Sequence, residues 1–383
     1  MNLSAVRLER MRAVLGGYVE RGEVPGLVSV LSRRGETHVD AFGTTADDAL
    51  FRIASMAKPV TAVATLILVE ECVLRLDDPV DDLLPELRDR RVLTRLDGPL
   101  EDTEPARRPV TVRDLLTFRF GFGQFMGSPR EYPILRAGSE RGIGMGPESP
   151  RGTPEEWIAA LGTLPLMHQP GERWAYNTGA DVLAVLIARA TGRPYPEFLR
   201  ERILGPLGMA DTGHTVPAAE LHRLPTGYYR AADGRLTAAG DRDWTEPPAF
   251  PSGAGGLVST AADYLAFARM LLAGGRYPGG RILSRPSVEL MTTDHLGEQQ
   301  REWARPFLGG CGWGFGVSVV TTRTDAWAVP GRYGWDGGSG TSWRSDPTEG
   351  VVTILLTQRA MGGPTPPPVF RDFWTAAYQA IDD

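Results

Sequence analysis

Of the 41 basic residues in this chain, 40 are arginines and one, Lys58, is a lysine. Arginine keeps its charge in any protein setting, whereas a lysine drawn out of water gives up its proton. A chain that builds its positive charge from arginine and keeps one lysine points to a place that needs a neutral amine. Ser55 stands three residues ahead, in Phe51-Arg-Ile-Ala-Ser-Met-Ala-Lys-Pro, and an apolar run follows to about Glu71. Residues three apart share one face of a helix, so the hydroxyl and the amine can meet. A serine hydroxyl becomes a useful nucleophile when a base lies within hydrogen-bond reach. Amide N–H groups at the start of a helix also favour negative charge that develops nearby. For Lys58 to be neutral near pH 7 its pKa must fall by roughly 3 units, about 4 kcal/mol, which burial can supply. A third polar group is Tyr176 in Trp174-Ala-Tyr-Asn-Thr, since a phenol held near a lysine can pass a proton.

These groups need elements to hold them. Ser55 reads as the N-cap of a helix that runs to about residue 71. Pro59 disfavours helical torsions at Lys58, but proline is tolerated in a first turn. Ahead of this helix, residues 3–20 show apolar residues at helical spacing, and Gly26–Leu31 and Thr37–Phe42 read as strands joined by a tight turn at Arg33-Arg34-Gly35. Helices are expected at 112–117, 154–162, 179–191, 195–204 and 261–272. Phe315–Val320, Ser339–Ser345 and Val351–Gln358 read as strands, and an amphipathic helix closes the chain. The stretch 121–154, rich in Gly, Pro and Arg, reads as a long binding or covering loop. Strands at both ends with helices between them predict an α/β (α+β) fold. One antiparallel sheet is built from both termini and flanked by helices, with a mostly helical domain inserted. The expected boundaries are 1–79 with 245–383 for the sheet domain and 80–244 for the insert.

Composition narrows the function. With 383 residues, 42% apolar and 23% charged, the chain is an ordinary globular one, long enough for about two domains. A net charge of −6 without a basic stripe argues against nucleic acid. The longest apolar run, Val60–Val69, is half of a membrane span. The N-terminus lacks the pattern of an export signal. Cys72 and Cys311 are then expected as reduced thiols of a cytoplasmic protein. The five histidines show no metal-ligand spacing, so no metal and no cofactor are expected.

Read in order, VPGLVSVLSRRGETHVDAFG, LFRIASMAKPVTAV, LRLDDPVDDLLPEL, TVRDLLTF, PGERWAYNTGADVL, GGLVSTAADYLAFARMLL and YGWDGGSGTSW resemble the serine β-lactamase and penicillin-binding-protein superfamily, in particular its class C β-lactamase-like esterases. The resemblance covers some 320 residues. It implies the family's β-lactamase/transpeptidase-like fold and three motifs. The first, SxxK, falls on Ser55 and Lys58, with Ser55 as the acylated nucleophile. The second, Tyr-x-Asn, falls on Tyr176 but carries Thr178 where asparagine is usual. The third, a strand triplet that begins with Lys or His, falls on Trp335-Asp336-Gly337. By that match Trp335 and Gly337 contact substrate. The backbone N–H groups of Ser55 and Gly338 form the oxyanion hole, where losing one donor costs about 2.7–4 kcal/mol. Trp335 replaces the cation that would grip a carboxylate, and strand alternation turns Asp336 away from the cleft. The aromatic residues Phe118, Phe120, Phe122 and Phe125 are expected near the pocket, with Phe120 and Phe122 as substrate contacts.

The reaction expected is acylation of Ser55, with its proton passing to the Lys58/Tyr176 pair, followed by attack of water. Which member of the pair is the base stays open, because coupled groups titrate together. Short or medium carboxylic esters are the leading substrate class among small-molecule esters, amides and β-lactams. β-Lactam or D-amino-acid peptide hydrolysis, acyl transfer to an alcohol, and a non-catalytic ligand-binding module are the alternatives. A GxSxG elbow is absent, since Gly337-Gly-Ser339-Gly-Thr341 fails at its last position.

Overall fold

The computed structural model describes residues 3–128, 130–146, 149–240 and 242–382. Helix α1 (Ala5–Glu20) buries the stripe Leu8, Met11, Leu15 and Tyr18, spaced three and four residues apart. Strands β1 (Gly26–Arg33) and β2 (Glu36–Gly43) form a hairpin with Arg33 opposite Glu36. Its loop residues Arg34 and Gly35 have φ of 46° and 92°, the two positive values that a two-residue hairpin turn requires. Helix α2 (Ala57–Glu70) is buried from Ala57 through Leu68, as befits a helix that is apolar all round.

The middle of the chain is mostly helical. Its largest element is α3 (Thr178–Thr191), ended by Gly192 in the left-handed conformation. Helices also occupy Val112–Leu116, Pro154–Gly162 and Tyr195–Leu199, where the sequence places them. Strands in this region are confined to short two-stranded ribbons. Then come α4 (Ala261–Leu272) and α5 (Glu298–Leu308). Strands β3 (Gly312–Trp313), β4 (Ser318–Val319), β5 (Tyr333–Gly337), β6 (Thr341–Asp346) and β7 (Val351–Thr357) follow, and α6 (Pro368–Gln379) ends the fold.

The seven strands make one antiparallel sheet in the order β3-β4-β5-β6-β7-β1-β2. Strand β1 pairs with β7, Leu27 opposite Thr357, so the sheet closes only when both ends of the chain meet. Alternation sorts its side chains. Leu27, Leu31, Val351 and Leu355 face α1 and α6. Val28, Val30, Ile354 and Leu356 face the main core, which runs on without a break to Leu115, Trp157 and Leu186 of the helical region. The sheet is thus a middle layer, with the terminal helices on one side and α4, α2 and the helical region on the other. This is the β-lactamase/transpeptidase-like architecture expected above.

Three local expectations change. The strand expected over 315–320 shrinks to Ser318–Val319, because Gly316 takes φ of 70° in a tight turn closed by Gly314 N–H to Val317 O. The stretch 121–154 contains a helix, Pro133–Glu140; three of its residues, Pro129, Pro147 and Glu148, lie outside the described residues. Ser55 is not an N-cap. It lies inside a 3-10 turn, Ala54–Met56, that runs straight into α2.

Candidate functional site

Ser55 is delivered by a strained turn. Ala54, just before it, has φ of 43°, a conformation that costs a residue with a Cβ about 1 kcal/mol or more. The turn is held from the sheet side. The Thr341 hydroxyl donates to Ile53 O (3.2 Å), and the Ser339 hydroxyl donates to Arg52 O. Gly337 packs so closely that a Cβ there would collide with the Ile53 carbonyl. The end of β5 is thereby pressed against the turn that carries Ser55.

At the start of α2, three residues after Ser55, Lys58 is 1% exposed. Its Nζ stands 2.8 Å from Ser55 Oγ and donates to the Ala254 carbonyl at 2.7 Å. Burial lowers its pKa to about 7, a shift that the negative field of Asp181 partly opposes. The Tyr176 ring lies under the amine, 4.5 Å from Nζ to its centre. The Tyr176 phenol shares the cleft wall with Ser55 and accepts the Trp335 indole N–H at 2.6 Å. Burial drives the phenol pKa upward, so it keeps its proton at neutral pH. The two groups that the sequence left undecided are therefore pushed in opposite directions.

Tyr176 is fixed by backbone on both sides. Gln124 and Tyr176 exchange N–H···O bonds of 2.8 Å in both directions. Just after it, Asn177 has φ of 79° and ψ of −67°, and Thr178 N–H reaches back to Tyr176 O at 3.1 Å. That is a γ-turn, a rare and strained device. It aims Asn177 at the cleft and leaves Thr178 buried at the head of α3.

The cleft beside Ser55 has a volume of about 590 Å³. Its walls include Ser55, Gln124, Tyr176, Phe307, Trp335 and Met361. Among the described residues that line it, none is Arg, Lys or His, and the one formal charge belongs to Asp336. That carboxylate is bound through both oxygens by Arg344, at 2.8 and 2.7 Å. Gly338 lines the cleft between β5 and β6, and its N–H has no acceptor among the described residues. Behind Tyr176 and Trp335 stands an aromatic cluster of Phe118, Trp174, Phe307 and Trp313. Trp313 meets Trp335 edge-on at 4.8 Å.

The structure thus brings together Ser55, Lys58, Tyr176, Trp335 and Gly338. Gly337 serves the close approach of strand to turn and is not part of the cleft wall. Phe120 and Phe122 correct the sequence reading. Both are fully buried in the main core and neither lines the cleft. The loop backbone is strapped down at Phe118 O and Gly121 O, which turns these two rings inward. Phe118 packs against Tyr176 at 6.0 Å, and Phe125 packs edge-on with Tyr132 at 4.9 Å. Residues missed from sequence include Asp181, Phe307 and Trp313. Asp181 alone had a signal, as the one charge in the apolar run Thr178-Gly-Ala-Asp-Val-Leu-Ala-Val-Leu-Ile.

A hydroxyl, a buried amine and a phenol at the edge of such a sheet define a serine hydrolase. The chain belongs to the beta-lactamase family, whose model matches residues 11–371. It is 39% identical over 372 residues to Protein Rv1367c of Mycobacterium tuberculosis, an alignment that covers 92% of this chain and 90% of the relative. Esterase EstB of Burkholderia gladioli is 31% identical over 393 residues, covering 94% and 92%. Among solved structures, EstCE1, described as a hydrolase with promiscuous acyltransferase activity, superposes with a TM-score of 0.81 at 25% identity, covering 97% of this chain and 98% of its own. No helix of the described residues is long and apolar enough to cross a membrane.

Proposed function

We propose that the protein hydrolyses neutral carboxylic esters through an acyl-enzyme on Ser55. The observation that carries this reading is the 2.8 Å contact between Ser55 Oγ and a buried Lys58 amine whose pKa has been brought down to neutrality. A neutral Nζ keeps one N–H on the Ala254 carbonyl and offers its lone pair to the Ser55 proton. As that proton leaves, Oγ attacks the ester carbon. The oxyanion that forms is received by the N–H groups of Ser55 and Gly338. Tyr176, still protonated, gives its proton to the departing alkoxide and is restored through Lys58. Water then repeats the sequence on the acyl-enzyme.

Substrate choice follows from the walls. Where a cation would hold a carboxylate, Trp335 presents a ring and spends its N–H on Tyr176. With no cation among the described lining residues, burying a substrate carboxylate would leave it without a partner, which is costly. An uncharged acyl or alcohol group fits. The names of Esterase EstB and of EstCE1 agree with this reading.

The test is paired. The protein should turn over p-nitrophenyl butyrate and should hydrolyse nitrocefin, which carries a carboxylate, at least about 100-fold more slowly. A fluorophosphonate should add covalently at Ser55 and should fail to label Ser55→Ala. Preferred turnover of nitrocefin, or labelling elsewhere, would overturn the assignment.

A further inference from the structure

The mechanism above leaves a buried carboxylate without a task. Asp181, in the first turn of α3, has no solvent exposure. Its Oδ1 accepts the Ser252 hydroxyl at 2.6 Å and the Ala254 N–H at 3.1 Å. Its Oδ2 is equally buried and has no partner among the described residues. Ala254 is also the residue whose carbonyl takes the Lys58 amine. The segment that carries it is clamped on two sides. Gly253 lies flat on α3, where a Cβ would collide with the Ala180 carbonyl. The Gly253 carbonyl accepts the Thr61 hydroxyl of α2 at 2.6 Å. One short stretch, Ser252–Ala254, therefore ties the helix of the amine to the helix of the carboxylate.

Resting on the reading of Lys58 as the base, we propose that Asp181 is a positioning residue. It holds Ala254 against the amine and supplies the counter-charge for the ammonium formed during acylation. In that step the Ser55 O–H bond breaks, an N–H bond forms on Nζ, and the Oγ electron pair goes to the ester carbon. A positive charge appears where no solvent reaches. Charge in such a place is costly unless an opposite charge faces it. Asp181 is the carboxylate whose field acts on Lys58.

The other titratable groups around this pair stay fixed near neutrality. Burial raises Tyr176 and Tyr195, which remain phenols. Burial lowers His214, on the Ser252 carbonyl, to about 4, so it remains neutral. Burial moves the two members of the pair toward each other, Lys58 down to about 7 and Asp181 up to about 6, so that the carboxylate is mostly ionised when the amine is called on as a base.

The experiment is the pH dependence of the acylation burst with p-nitrophenyl butyrate, for the wild type, Asp181→Asn and Ser252→Ala. Asparagine has the same shape. Its Oδ1 keeps both hydrogen bonds, and its amide takes the place of the unpartnered Oδ2. Without the negative charge Lys58 becomes a weaker base. The rising limb should move about one unit toward acid. The plateau should fall at least about tenfold, with KM changed less than about twofold. Ser252→Ala keeps the carboxyl but removes the hydroxyl that favours its ionised form, so its limb should move the same way by less. A structural role would lower the plateau and leave the limb in place. An Asp181→Asn limb that coincides with the wild type overturns the proposal. If that variant does not fold, an unmoved Ser252→Ala limb overturns it. A wild type unlabelled by fluorophosphonate at Ser55 would instead defeat the underlying assignment of the nucleophile.

Discussion

Lys58 owes its chemistry to where it is put. Around it, helix α2 is buried on all sides, and among the described residues its amine meets a neutral carbonyl and a hydroxyl. An arginine in its place would keep its proton under all conditions. Lys58→Arg should therefore lower the rate of Ser55 acylation by roughly 10²–10⁴-fold, the usual worth of a general base. The burst of p-nitrophenol measures this directly, and a near-normal burst would remove Lys58 from the role of base. At this scale much was legible in the sequence. A lone lysine three residues after a serine, and a tyrosine between aromatic and polar neighbours, mark chemistry through residue type. Asp181 and Phe307 come to the site only through the packing of α3 and α5, which no local spacing encodes. Phe120 and Phe122 failed for a related reason. A phenylalanine in a loop carries no sign of whether it faces a pocket or the core.

At the scale of elements, the turn at Ala54–Met56 and the end of β5 work as one unit. Gly337 has no Cβ, so the strand closes on the Ile53 carbonyl and brings Gly338 beside Ser55. In Gly337→Ala either the strand or the turn must retreat. The expected cost is about 1–3 kcal/mol of stability. Because the proposed oxyanion donors, the N–H groups of Ser55 and Gly338, would also part, the acylation rate should drop by at least about tenfold beyond any loss of folded protein. Denaturant titration and burst kinetics on the same sample separate the two effects, and unchanged acylation would show that the approach is not needed. The helices expected from periodicity are present, because an apolar stripe or an all-apolar run has few other ways to be buried. Strand β5 was reached through motif resemblance and not through alternation. Its sequence, Tyr-Gly-Trp-Asp-Gly, has two glycines and a charge and reads poorly as a strand. It exists because β4 and β6 pair with it on either side.

For the molecule as a whole, two buried histidines should weaken the fold toward acid pH. Burial lowers both His168 and His214 from 6.5 to about 4. The unfolded chain thus binds these protons at a higher pH than the folded one. Stability contributed by their neutral forms is complete above about pH 6.5 and is lost as the pH falls toward about 4. For His214, fully enclosed, the linked change is a few kcal/mol. The melting temperature should fall across this window, and His214→Gln should flatten the fall; identical slopes would show that other groups govern it. The overall architecture could be anticipated because strands cluster at both ends of the sequence. The register of the sheet could not, since pairing between residues 27 and 357 is settled only in three dimensions. That pairing has a further consequence. Leu3 bridges Ile381, and the Ser4 N–H donates to Ala380 O at 2.8 Å, so the two ends of the fold are already side by side. A short linker could join them, with the chain reopened at the exposed hairpin tip by Asp233 and Gly234. Such a circular permutant cuts no strand of the seven-stranded sheet, and it moves the free ends of the chain from the face of α1 and α6 to that hairpin.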